Sequence, residues 1–76
     1  MVQNVITYVV KQLVSYPDQV GVTLKKDDQK TVVEIAVNEA DRGKVIGKEG
    51  QTIKALRTMV AALMPSDKKV MIDLAN

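Results

Sequence analysis

Apolar residues near the start of the chain recur at Val2, Val5, Ile6, Val9, Val10, Leu13 and Val14. Steps of three and four residues trace one face of an α-helix. Several of these residues are β-branched, which disfavours helix slightly, but packing of a continuous apolar face contributes more than that preference. Pro17 sets the end, since the residue before a proline avoids helical backbone. The period then changes to two. Val20, Val22 and Leu24 alternate with other residues, and so do Val33, Ile35 and Val37, with Glu34 pointing away from the apolar side. The polar run "KKDDQK" between them predicts a turn, so the two strands pair as an antiparallel hairpin.

Asn38 can cap a second helix over about residues 39–46, with Asp41 three positions on as a partial capping-box partner. Gly47 ends it. A third helix from about Gln51 places Ile53, Leu56, Val60 and Leu63 on one face, and "MPSD" breaks it. Val70, Ile72 and Leu74 then alternate as a last strand, with Lys68 and Lys69 at its start to discourage unwanted edge pairing. Gly21 marks a bulge or a weak point in the first strand. The predicted order is α-β-β-α-α-β, an α+β fold with helices on one face of a three-stranded mixed sheet. The crossover through two helices lets the second and third strands run parallel. Met59, Met64 and Met71 are expected as core or interface fillers.

The 76 residues form one domain, residues 1–76, with a small core and marginal stability, so a homodimer contact that adds buried area is expected. There is no cysteine and no histidine, which removes disulfides, thiolate metal sites and the usual neutral-pH proton shuttle. Nothing implies a metal, a cofactor or a catalytic constellation. The stretch "MVQNVITYVVKQLVSYPDQ" lacks a basic leader, an unbroken apolar run and a cleavage site, and no segment reaches membrane-spanning length; a cytoplasmic location is expected.

Charge changes the picture more than composition does. Residues 42–57 hold Arg42, Lys44, Lys48, Lys54 and Arg57 against Glu49 alone, a net of +4, whereas the rest of the chain carries six bases and eight acids. The same region holds Gly43, Gly47 and Gly50. Their spacing fails the dinucleotide loop G-x-G-x-x-G. It also fails the triphosphate loop G-x-x-x-x-G-K-[ST], where Glu49 stands in place of the magnesium-binding hydroxyl. What fits is Gly47-Lys48-Glu49-Gly50, a G-x-x-G loop between two helices. Glycines let a nucleic-acid backbone lie against the main chain, and the following helix offers its N-terminal amides to phosphate. Lys44, Lys48, Lys54 and Arg57 extend the positive surface, Ile46 and Ile53 supply an apolar floor, and Glu49 points to solvent and moderates affinity.

The stretch "GKVIGKEGQTIKALR", in its helix–loop–helix context, resembles the KH domain. The order α-β-β-α-α-β matches the type II form. The likeness is closer still to the small single-KH bacterial RNA-binding proteins of the KhpA family, and it includes "LVSYPDQVGV" before the first strand. It implies binding of about four nucleotides of single-stranded RNA, homodimerisation and a KhpB-like KH protein partner. It also implies a role as RNA chaperone or post-transcriptional regulator linked to cell shape. The only aromatics, Tyr8 and Tyr16, lie far from the loop, so modest affinity and loose sequence preference are expected. The competing expectation is a KH-shaped protein-interaction or assembly module that does not itself bind RNA.

Overall fold

A computed structural model of the chain describes residues 2–64 and 69–75. The elements are α1 (Val2–Leu13), β1 (Gly21–Lys26), β2 (Thr31–Ala36), α2 (Arg42–Ile46), α3 (Gln51–Leu63) and β3 (Val70–Leu74). Short 3-10 turns lie at Pro17–Gln19, Glu39–Asp41 and Lys48–Gly50. The sheet order is β1-β2-β3. β1 and β2 are antiparallel, with Val22 opposite Ile35 and Leu24 opposite Val33. β2 and β3 are parallel, with Val33 opposite Ile72. This is the α-β-β-α-α-β order and mixed sheet that the patterning predicts.

The core forms where one face of the central strand meets the helices. Val33 and Ile35 from β2 are fully buried against Ile6 and Val10 of α1, Val45 of α2, and Leu56 and Val60 of α3. Val37 closes the cluster just after β2, and Val22, Leu24, Val70, Ile72 and Leu74 pack against it from the outer strands. Each buried aliphatic side chain contributes about 1.5–3 kcal/mol, so these few residues carry most of the fold. Met59 and Met64 pack against the cluster as expected. Leu63 does not join the core face; it is exposed. Met71 is exposed and does not join the core, which leaves the interface alternative for it.

Three boundaries differ from the sequence expectation. β1 continues through Lys25 and Lys26, which pair with Val32 and Thr31. Charged residues are tolerated there because β1 is an edge strand. The turn begins only at Asp27, whose carboxylate accepts the backbone N–H groups of Gln29 at 2.8 Å and Lys30 at 2.9 Å. Those bonds hold its pKa below the ordinary value. Gly21 sits in continuous register opposite Ala36, with no bulge. The second helix is divided: Asn38 Oδ1 accepts the Ala40 N–H at 2.9 Å and starts a 3-10 turn, and regular helix begins at Arg42. Lys68 and the "PSD" of the predicted breaker lie outside the described residues.

Asp41 does not act as a local capping partner. Its carboxylate is fully buried and accepts the backbone N–H groups of Ser15 and Tyr16, each at 3.0 Å. Burial alone would raise its pKa. The two backbone hydrogen bonds and the Lys44 ammonium outweigh that and hold it below the ordinary carboxylate value. The segment leaving α1 is thereby pinned to the start of α2.

Candidate nucleic-acid interface

The turn between α2 and α3 needs left-handed backbone at three of four positions. Gly47 has φ +78°, Glu49 φ +56° and Gly50 φ +75°. The two glycines serve different ends. A Cβ on Gly47 would stand 2.7 Å from Thr52 Cβ and 2.8 Å from Thr52 N, so the first turn of α3 seats directly on this residue. A Cβ on Gly50 would meet only Ile53 Cγ2, at 4.0 Å. Gly47 is thus required by the protein's own packing. Gly50 is required by its φ angle, and its open side is the one left for a ligand. Gly47 N–H donates to Gly43 C=O at 2.9 Å and Gly50 N–H to Gly47 C=O at 3.1 Å, which fix the loop internally. No side chain caps α3; its first amide, Gln51 N–H, donates back to Lys48 C=O within the loop.

From Gly50 a groove of about 280 Å³ runs between α3 and β3, lined by Gly50, Ile53, Lys54, Arg57, Met71 and Ile72. Ile53 and Ile72 are half-buried and form its apolar walls, while Lys54 and Arg57 are exposed at the rim. Successive rim charges come from one helix face because Lys54 and Arg57 are three residues apart. Lys48 and Glu49 are both exposed at the loop tip.

The remaining sequence candidates are placed differently. Ile46 is half-buried on α2 and does not line the groove. The Lys44 ammonium lies 3.5 Å from Asp41 Oδ1 and donates to Ser15 Oγ, so its charge is committed to the α1–α2 junction. Arg42 Nη1 is enclosed without a hydrogen-bond partner among the described residues. The positive charge at the groove is therefore smaller than the sequence count suggests: Lys54 and Arg57 stand at its rim, and Lys48 stands at the loop tip beside Glu49. Met71 and Ile72 are groove residues that the sequence reading missed. Their alternation marks β3, but periodicity does not say that α3 lies along the edge of that strand. Among the described residues no cluster of three or more acidic, histidine or cysteine side chains could hold a metal, and no helix is long and apolar enough to cross a membrane.

Comparison with solved structures gives the same architecture. A crystal structure of Aquifex aeolicus Era bound to GDP·AlF4− matches 96% of this chain with a TM-score of 0.61 at 19% identity. Era in complex with MgGDPNP and nucleotides 1506–1542 of 16S ribosomal RNA matches 97%, also with a TM-score of 0.61, at 18% identity. The chain corresponds to 29% and 30% of those longer proteins, and the likeness is one of fold. Sequence relatives match end to end. The RNA-binding protein KhpA of Bacillus subtilis is 42% identical over 95% of this chain and 90% of its own length. That of Leifsonia xyli is 42% identical over 100% and 99%, and that of Thermotoga maritima 40% identical over 90% and 91%. The model of the KhpA/KhpB KH domain matches residues 3–74. With the helix–loop–helix, the parallel third strand and the relatives all in agreement, the chain belongs to the KhpA/KhpB KH-domain family.

Proposed function

We propose that the chain is a non-catalytic, type II KH protein that binds single-stranded RNA in the groove between α3 and β3. The observation that carries this reading is the groove itself: apolar walls from Ile53 and Ile72, cationic rims from Lys54 and Arg57, and an entrance at the open side of Gly50. Unpaired bases fit an apolar cleft that a duplex cannot enter, and phosphates follow the cations and the α3 amides. The relatives named RNA-binding protein KhpA support the same ligand. About four nucleotides fill such a groove. Residues 1–76 act as one KH domain.

The wider role follows the family: a cytoplasmic RNA chaperone or post-transcriptional regulator, working as a homodimer and with a KhpB-like partner. Exposed Val5, Tyr8 and Leu13 on α1 and Leu63 on α3 offer apolar surface for association. Sedimentation is expected to show a dimer at micromolar concentration or above, and a monomer persisting at several hundred micromolar overturns that part.

The test of RNA binding replaces Lys48 and Glu49 together with aspartate. Both side chains are exposed, so far-UV CD and melting stay normal, while affinity for single-stranded RNA falls at least about tenfold through repulsion of phosphate. Unchanged affinity in the folded variant places the RNA elsewhere on the surface.

A further inference from the structure

The groove does not end at its α3 wall. Val70, Ile72 and Leu74 of β3 turn toward the core, so Met71 and Asp73 stand on the opposite face of the sheet, away from the helices. Met71 nonetheless lines the groove and is 39% exposed, which makes it the point where the groove meets that outer face. Across the parallel ladder Met71 faces Val32, and across the antiparallel ladder Val32 faces Lys25. Val32 is half-buried although no helix covers its side of the sheet. Met71 and Val32 thus form a small apolar step beside the groove mouth.

The charges around this step are divided. One row toward the middle of the sheet, Glu34 faces Asp73, and Lys25 is drawn to Glu34 at 3.1 Å. That side repels phosphate. One row toward the β1–β2 turn, the ladder continues past β3, because Thr31 N–H donates to Lys69 C=O at 2.8 Å. Strand alternation carried through that bond puts Lys69 on the face of Met71 and Lys30 on the face of Val32. Both lysines are exposed. Asp27 and Asp28 in the same turn are both exposed acids; the Asp27 carboxylate accepts the Gln29 and Lys30 amides and lies near the Lys30 charge, so the positive charge at this end of the face rests most on Lys69.

Geometry links the step to the groove. Arg57 lies about 10 Å farther along the α3 axis than Gly50, at a rise of about 1.5 Å per residue. α3 runs antiparallel to β3, so the Arg57 end of the groove is the end near Lys69. We propose that single-stranded RNA leaving the groove at Arg57 crosses the β3 edge over Met71 onto the outer sheet face. There Met71 and Val32 support a further base, and Lys30 and Lys69 hold its flanking phosphates. This path rests on the RNA reading of the groove and extends it: the bound segment is longer than the groove, and the chain discriminates by strand length at a second, aromatic-free platform.

The experiment titrates a uridine tetramer and a uridine octamer at several salt concentrations against the wild-type chain, a Lys30→Ala/Lys69→Ala double variant and Val32→Thr. In the double variant the octamer is expected to bind about tenfold more weakly, with a log–log salt slope shallower by roughly 1.4, since each neutralised phosphate of a single strand contributes about 0.7. Tetramer affinity and slope stay unchanged. Val32→Thr weakens the octamer alone, with its slope intact. Equal octamer affinity and slope in wild type and double variant, with tetramer binding still lost on Lys48→Asp/Glu49→Asp, overturns the outer path and leaves the groove standing. Tetramer binding that survives the loop change overturns the groove, and the path with it.

Discussion

Asp41 Oδ1 accepts the backbone N–H of Ser15 across 3.0 Å, although 26 residues separate the two in sequence. The other carboxylate oxygen takes the Tyr16 N–H, so one buried side chain satisfies both amides as the chain leaves α1. Asparagine at this position keeps one acceptor and turns a donor toward the second amide. Asp41→Asn is expected to lower the melting temperature by at least roughly 5 °C, and Asp41→Ala by more, because both part-buried amides then lose their acceptor. A melt within a degree of wild type for either variant contradicts the tether.

The same carboxylate gives a pH dependence of fixed sign. Its folded pKa is depressed, so its contribution is complete above the ordinary aspartate value of about 3.9 and is lost as pH falls from there toward the folded pKa. The melting-temperature gap between wild type and Asp41→Asn should therefore be constant from pH 7 to about 5 and narrow below about pH 4. A gap that widens on acidification contradicts the assignment.

Lys44 separates charge count from charge placement. Bound to Asp41 and Ser15, it is expected to act on stability rather than on RNA. Lys44→Ala should leave the salt slope of RNA binding unchanged. Lys54→Ala or Arg57→Ala should each make it shallower by about 0.7 and weaken all sequences alike. Equal slopes for all three variants show that the rim cations do not meet phosphate.

The loop glycines differ in kind, and alanine distinguishes them. Gly50→Ala meets only the cost of a left-handed alanine, about 1–2 kcal/mol, and should fold. Gly47→Ala adds a collision with Thr52 and should be far more destabilising. Thr52→Ala should not rescue it, since removing Oγ1 leaves the Thr52 Cβ at 2.7 Å and backbone nitrogen at 2.8 Å in collision. Glu49 occupies left-handed backbone with a side chain unsuited to it, so Glu49→Asn should stabilise the chain by about 0.5–1 kcal/mol and, by removing a negative charge, tighten RNA binding. Chemical denaturation of the four variants measures the stabilities, and an RNA titration of Glu49→Asn measures the affinity.

Much of the fold was legible because it is written in local periodicity. Val33, Ile35 and Val37 alternate and are all buried; Ile6 and Val10 sit on the helical stripe and are fully enclosed. What was not legible depends on pairs distant in sequence. Asp41 follows Asn38 at capping-box spacing, which suggests a local partner, yet its acceptors go to Ser15 and Tyr16. Lys25 and Lys26 look like turn residues until Val32 and Thr31 pair with them. The G-x-x-G loop, Ile53, Lys54 and Arg57 were visible as one stretch. Ile46 and Lys44 shared that stretch but lie away from the groove, and Met71 and Ile72, which complete it, are far along the chain.

The crossover that makes β2 and β3 parallel also sets an order of assembly. The loop and α3 precede β3 in the chain, and the groove's second wall is β3 itself. A nascent chain that has emerged only as far as α3 presents the glycine turn and its cations but no cleft. On the proposed reading of the groove, RNA capture waits on the docking of residues 70–74: a chain interrupted before them carries α1, the β1–β2 hairpin and the cationic glycine turn, but lacks the wall that Met71 and Ile72 supply.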